Sequence, residues 1–333
     1  MRIGHIIVAI FAGLAAACTL SIDAAAPTPD QDLSAPSTGQ LLTFDLRDSA
    51  SIPVEVEGRA LELLLLARAE ALMIIDRDVV QALGLPAVMF GLGSASLRDG
   101  DHRVAGEVRR ARYRIAEASP EAVWALDLET DIHPRYDGAI SFGAIPASRF
   151  RLILSDPPAD GADQVWIPIE LALRSEALEA ERDYAGLEFS HDLALYQDPV
   201  TANRKAVFYL LQADRIDPVS GIEDFDRLFA NTRPHVRFAA APPLEVSGIP
   251  VGRLTGEVPP DFDPDAPAMA EGEDVIIVHH DRRRTVDAPT VYLGRSFFEP
   301  CSQIEVVRAD QEQDRARIRA LCRADVLTSA APP

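Results

Sequence analysis

Residues 61–85 read LELLLLARAEALMIIDRDVVQALGL, a run so rich in apolar positions that two local structures fit it. Leu, Ala, Arg, Glu and Met are strong helix formers, and no Gly or Pro interrupts the run before Gly84. The leucines at 63–66 and the triplet Met73-Ile74-Ile75 equally suit buried strands, and periodicity cannot separate helix from strand over runs this short. Only DRDVVQALGL carries helix punctuation: Asp76 placed to cap, Val79, Val80 and Leu83 as the apolar set, and Gly84 as the stop. The pattern therefore predicts strand LELLLL, turn ARAEA, strand LMII and helix DRDVVQAL.

The rest of the chain reads as short strands and turns, and it reads twice. RFRLIL, SDPPADGADQ and VWIPI (149–169) predict strand, polar turn and strand. Upstream lie YDGAISFGAI (136–145), EAVWALDL (121–128) and the alternating HRVAGEVRRARYRIA (102–116). The second half offers APPLEVSGIPVGRLTGEV (241–258), DVIIVHHD (274–281), TVYLGRSFFEP (290–300) and a hairpin about Gln311–Glu312. A second helix is predicted over GIEDFDRLFA (221–230), with Ile222, Phe225, Leu228 and Phe229 on one face. Counting back equally from Leu83 and Leu228 reaches Ala67 and Gln212, each closing an apolar run (LELLLL and AVFYLL). The expectation is an all-β chain with a few short helices, built from two copies of one unit at 41–172 and 173–324.

This order of elements resembles a lobe of the aspartic proteases in their bacterial retropepsin-like form. That family has a strand, a D-T-G turn, a second strand and a helix, then an apolar segment often reading D-G-x-x-G and a final hairpin. Leu293-Gly294-Arg295-Ser296 matches the late segment, as do Asp137-Gly138 and Ser141. The resemblance implies a bilobal, acid-protease-like double β-barrel with a cleft. It also places the two catalytic aspartates at Ala67 and Gln212, and no D-T-G or D-S-G occurs anywhere in the chain.

Aspartic-protease chemistry needs two carboxylates sharing a proton, one activating water and the other donating to the substrate carbonyl. Alanine can do neither, and glutamine can position water but cannot take its proton. The resemblance thus implies a non-catalytic pseudoprotease whose cleft holds an extended peptide or an envelope protein by strand pairing. The alternative is an active endopeptidase with displaced acids, for which Glu70 and Asp214 are the fallback pair. Arg68 and Arg215 beside them make exposed ion pairs the plainer account. A structural envelope lipoprotein without ligand is a third reading.

The N-terminus bears on where this happens. MRIGHIIVAIFAGLAAAC has a basic start, an apolar run from Ile6 to Leu14 and a small-residue end, the layout of a signal peptide over 1–17. AAAC also resembles a lipobox with Cys18 as the lipidated residue, although Ala15 stands where that motif prefers Leu. Plain cleavage near Ala17 or in Ala24–Ala26 is the other route. Residues 18–40 form a Pro/Ser-rich linker suited to a tether, and 325–333 are expected to be a disordered tail. An exported, periplasmic protein follows, touching membrane only through an N-terminal lipid. In that oxidising compartment Cys301 and Cys322 are expected to pair across the base of the C-terminal hairpin. The competing picture is a charged helix from Asp310 to Arg323 with two free thiols.

Charge excludes more than it suggests. A formal net charge of −20 opposes binding to nucleic acid or to an anionic membrane surface, because phosphates would be repelled, and no basic stripe with interleaved aromatics appears. His279-His280-Asp281 lacks metal-ligand spacing, so no metal and no cofactor are expected. Ser190-His191-Asp192 is contiguous, whereas a catalytic triad is assembled from separate elements. FGLGSAS (90–96) lacks the third Gly and the Lys of a phosphate loop.

Overall fold

The computed structural model describes residues 41–67, 71–87, 94–99, 102–118, 121–159, 161–169, 172–174, 188–226, 228–230, 232–265, 289–307 and 317–325. The chain divides into two units, and the one formed by Thr38–Met269 and Ala288–Pro333 contains all of these residues. The predicted signal peptide, tether, Cys18 and His279-His280-Asp281 lie outside them, as does Glu70.

The architecture is all-β, in three sheets. The first half contributes β1 (Leu42–Asp45), β2 (Ser51–Val56), β3 (Arg59–Leu66), β4 (Met73–Asp76), helix α1 (Arg77–Leu83), β5 (Ser94–Asp99), β6 (His102–Arg114), β7 (Glu121–Leu128), β8 (Gly138–Ser141), β9 (Arg149–Ile153) and β10 (Gln164–Ile169). The second contributes β11 (Ala172–Arg174), β12 (Glu188–Leu193), β13 (Thr201–Ala202), helix α2 (Arg204–Gln212), β14 (Ile216–Pro218), β15 (Glu223–Asp226), β16 (Thr232–Val246), β17 (Ile249–Glu257), β18 (Thr290–Leu293), β19 (Cys301–Val307) and β20 (Arg317–Arg323). Of the ambiguous opening stretch, Leu61–Leu66 and Met73–Asp76 are strand and Arg77–Leu83 helix, and residues 68–70 of the expected turn lie outside the described residues. Leu63–Leu66 and Met73–Asp76 are buried without alternation because both faces of their sheet are covered.

Each half closes a hairpin with a left-handed residue pair. Glu57 and Gly58 (φ 48° and 84°) turn β2 into β3, and Ser247 and Gly248 (52° and 78°) turn β16 into β17. Two successive positive φ values match the twist of tight hairpins. The sheet of the first half runs β2-β3-β8-β4-β7-β6-β5, and that of the second runs β11-β12-β18-β13-β17-β16-β14.

The third sheet is shared, in the order β1-β9-β19-β20-β10. This corrects the expected hairpin at 149–169, since β9 and β10 do not pair with each other. The C-terminal hairpin β19–β20 stands between them: β9 pairs β19, and β10 pairs β20. Phe150, Leu152, Ile304, Val306, Ile318 and Ala320 bury one face of this sheet, and Phe142 and Phe44 pack edge-on against Phe150. Interleaving gives β9, β19 and β20 two hydrogen-bonded neighbours each and the five strands one common core, which an isolated hairpin would lack. The expected boundary at 172/173 falls inside β11. Cys301 and Cys322 face each other in the β19–β20 register and form a disulfide. Residues 317–323 are strand, so the helical alternative with free thiols is set aside.

The second-half expectations shift most. AVFYLL lies in helix α2, and Gln212 is its last residue, not a turn residue after a strand. Asn203 starts that helix by accepting a 2.9 Å hydrogen bond from the Ala206 N–H, and Ala206, Val207 and Leu210 are its buried residues. The helix expected over 221–230 is replaced by β15 and a one-turn 3-10 segment, Leu228–Ala230. β15 and β14 both pair with β16, which draws this segment into extended structure. DVIIVHHD lies outside the described residues, and the counterpart of β7 is β17.

Candidate functional site

In both halves a late strand lies between two strands joined by a turn. β8 runs parallel to β3 and antiparallel to β4; β18 runs parallel to β12 and antiparallel to β13. The described residues between the outer strands, Ala67 and Ala71–Leu72 in the first half and 194–200 in the second, lie at the end of the middle strand. Ladder register makes the comparison residue by residue. Asp76 and Asn203 begin α1 and α2, and their N–H groups donate to the carbonyls of Asp137 and Thr290. From this, Ser141 corresponds to Gly294, Leu66 to Ala194, and Ala67 to Leu195.

The first crossing turn is fastened by Ser141. This fully buried residue donates its N–H to the Leu72 carbonyl at 2.9 Å, and its Oγ accepts from the Leu72 N–H at 2.8 Å. Ala67 leaves β3 half-buried, packed against the core. The second turn, 195–198, is fastened from η-turn Arg295–Phe298: the N–H groups of Arg295 and Ser296 donate to the carbonyls of Gln197 and Asp198, each at 2.8 Å. Inside it, the Thr201 hydroxyl donates to Gln197 Oε1 at 2.8 Å, Leu195 is buried and Asp198 is exposed.

Gly138 and Gly294 are required by close approach. At Gly138 (φ 151°) a Cβ would stand 2.1 Å from the Ile74 carbonyl oxygen, and at Gly294 one would stand 2.1 Å from that of Pro199. Asp137 is structural as well, its Oδ2 accepting from the Glu62 N–H at 2.9 Å. The motif residues named from sequence thus hold the middle strands in place.

The expected catalytic positions fare differently. Ala67 sits at the crossing turn, whereas Gln212 does not, and the register puts Leu195 there instead. The N-cap Asn203 after Asp198-Pro199 was the readable clue to a helix at 204. Asp214 follows α2 in a left-handed turn (φ 50°), its N–H donating to the Leu211 carbonyl. It belongs to the helix end and not to a crossing turn. Ser190, His191 and Asp192 are consecutive positions of β12.

One acid stands out that sequence treated only as a cap. Asp76 is buried, and its Oδ1 accepts from the Ile132 N–H at 3.1 Å instead of capping α1. Burial pushes its carboxyl up to about 6, against that hydrogen bond and with help from Asp131, Asp137 and Asp78. The Ile132 carbonyl in turn accepts from the N–H of Phe229 in the second half, at 2.8 Å. Asp76 closes β4 at the end away from Ala67, about 10 Å along the strand, and its counterpart is Asn203, so the two do not form a carboxylate pair. Two further buried acids are neutralised by arginines: Asp127 by Arg109 at 2.9 Å and Arg77 at 3.4 Å, Glu257 by Arg233 at 2.6 Å and Arg204 at 3.9 Å. Among the described residues no three His, Cys, Asp or Glu side chains are grouped to hold a metal.

The chain matches no known protein-family model, and no curated protein matches it.

Proposed function

We propose that this protein is an exported pseudoprotease of the aspartic-protease kind, tethered at the cell envelope, which holds extended peptide segments without cleaving them. The observation that carries the reading is the pair of crossed turns, with Ala67 and Leu195 where a working site needs two carboxylates. Neither side chain can activate water or donate a proton to a carbonyl. Peptide recognition by strand pairing needs only backbone groups and side-chain pockets, and survives loss of the acids. Fold analogy supplies the rest of the argument.

An endopeptidase with displaced acids finds less support. Asp76 titrates in a useful range but faces no second carboxylate at Asn203, and Asp214 terminates a helix.

The test pairs two assays on the purified exported chain. Casein and a library of extended peptides are incubated at acid and neutral pH, and peptide binding is followed by fluorescence anisotropy. Saturable binding without cleavage is expected. Cleavage blocked by a transition-state peptide mimic would establish the endopeptidase instead, and absence of both would favour a purely structural role.

A further inference from the structure

The outward face of the shared sheet concentrates positive charge in a strongly acidic chain. Along one line of the ladder Arg151, Glu305, Arg319 and Pro168 are neighbours, and one step along lie Arg149, Val307 and Arg317. Three of these arginines converge on the fully buried Glu305: Arg149 at 2.7 Å, Arg151 at 3.2 Å and Arg319 at 2.6 Å. Burial alone would raise the Glu305 carboxyl, but hydrogen bonds from Arg149, Arg319 and Arg151 more than offset this and hold it below the usual range. The three guanidinium side chains remain 21–29% exposed. Trp166 from β10 lies among them, with Arg319 at 4.6 Å and Arg151 at 5.8 Å from its ring.

We propose that this face docks on an anionic phospholipid surface. Three arginines around one carboxylate leave a local cationic excess, and guanidinium forks suit phosphate geometry. With a Debye length of about 8–10 Å in physiological salt, the facing surface reads this patch and not the distant acids that make the net charge −20. The sheet is five strands wide, about 20 Å, enough to span several headgroups. Its aromatic is of the type that sits at membrane interfaces. At the β1 edge Leu41, two residues before the Thr43 that pairs Arg151 and so on the same face, exposes an apolar side chain (38%). Continuity of the chain points the same way: the 18–40 segment leads straight into β1, an edge strand of this sheet. That last argument rests on the tether reading; the charge arguments do not.

The test uses the exported chain carrying Cys18→Ser, so that no lipid contributes, and compares sedimentation with vesicles of phosphatidylglycerol plus phosphatidylcholine against phosphatidylcholine alone. Preferential, salt-sensitive binding to the anionic vesicles is expected, weakened about fivefold per unit of charge removed. Arg317→Glu alters the face without touching the Glu305 hydrogen bonds. The combined Arg149→Gln/Arg151→Gln/Glu305→Gln variant removes two cations together with the buried acid, and thermal melts verify that both variants fold. Equal binding to neutral vesicles, or full binding by both variants, overturns the proposal. So does displacement by inorganic phosphate beyond that caused by sodium chloride of equal ionic strength, which would mark a free-anion site, or binding of polyglutamate in place of vesicles, which would mark an acidic protein partner. Peptide binding is measured separately, so either idea can fail alone.

Discussion

Asp76 and Ile132 form a buried pair in which a carboxylate oxygen accepts the backbone N–H of a fully buried residue, 56 positions away in the chain. The same Ile132 passes a hydrogen bond from its carbonyl to Phe229, whose φ of 64° is unusual for an aromatic residue. An ionisable group thus sits at the start of a backbone chain that joins the two halves of the sequence.

The pH consequence follows from the raised carboxyl. In the unfolded chain Asp76 titrates at its ordinary value near 3.8, and in the folded protein at about 6. Because the folded state binds this proton more tightly, its contribution is fully present below about pH 4 and is lost as pH rises through 6. Asp76→Asn, which keeps the acceptor oxygen, is expected to stabilise the protein by about 1–2 kcal/mol above pH 6, discounting for residual solvent access. It should have little effect at acid pH. Thermal melts of both proteins across this range measure the difference; equal melting at all pH values would remove Asp76 as a titrating group.

Glu305 behaves in the opposite sense. Its carboxyl is held below 4.5, so the network with Arg149, Arg151 and Arg319 is intact above that value and weakens as pH falls through the depressed one. Glu305→Ala leaves three half-buried guanidiniums without their shared acceptor and should cost about 3 kcal/mol at neutral pH. Urea unfolding reads this directly.

Gly138→Ala and Gly294→Ala should each destabilise the fold by roughly 3 kcal/mol or more, since the added methyl meets a backbone carbonyl and not a yielding side chain. Alanine at Gly58 or Gly161 meets nothing within 4 Å and carries only the cost of its positive φ, about 1 kcal/mol. The contrast between the two sets, measured by denaturant midpoints, is the informative quantity.

Reduction of the Cys301–Cys322 disulfide releases a constraint over a sequence separation of 21. The expected loss is about 3 kcal/mol, seen as a lower melting temperature in reductant. A Cys301→Ser/Cys322→Ser protein should match the reduced chain.

Much of the first half was readable from sequence because its markers are local. Asp76, Val80 and Gly84 announce α1, and Asp137-Gly138 announces the crossed strand. The second half misled because an apolar run such as AVFYLL carries no mark of its own. Asn203 is the local mark of α2, whereas counting from Leu228 relies on a helix whose place β15 and Phe229 occupy. That count gives Gln212, and the ladder register gives Leu195.

Alternation and turn residues by themselves determined the all-β class, since these marks depend on neighbours a few residues apart, and the cysteine count pointed to the C-terminal hairpin and its disulfide while leaving a helix with free thiols open. They also determined the absence of D-T-G. Only the tertiary structure decided that β19 and β20 separate β9 from β10, that Leu195 is the counterpart of Ala67, and that Glu305 lies under three arginines. The reason is physical: strand pairing is chosen by which distant backbone edges and apolar faces can be satisfied together, and a linear pattern does not encode that choice locally.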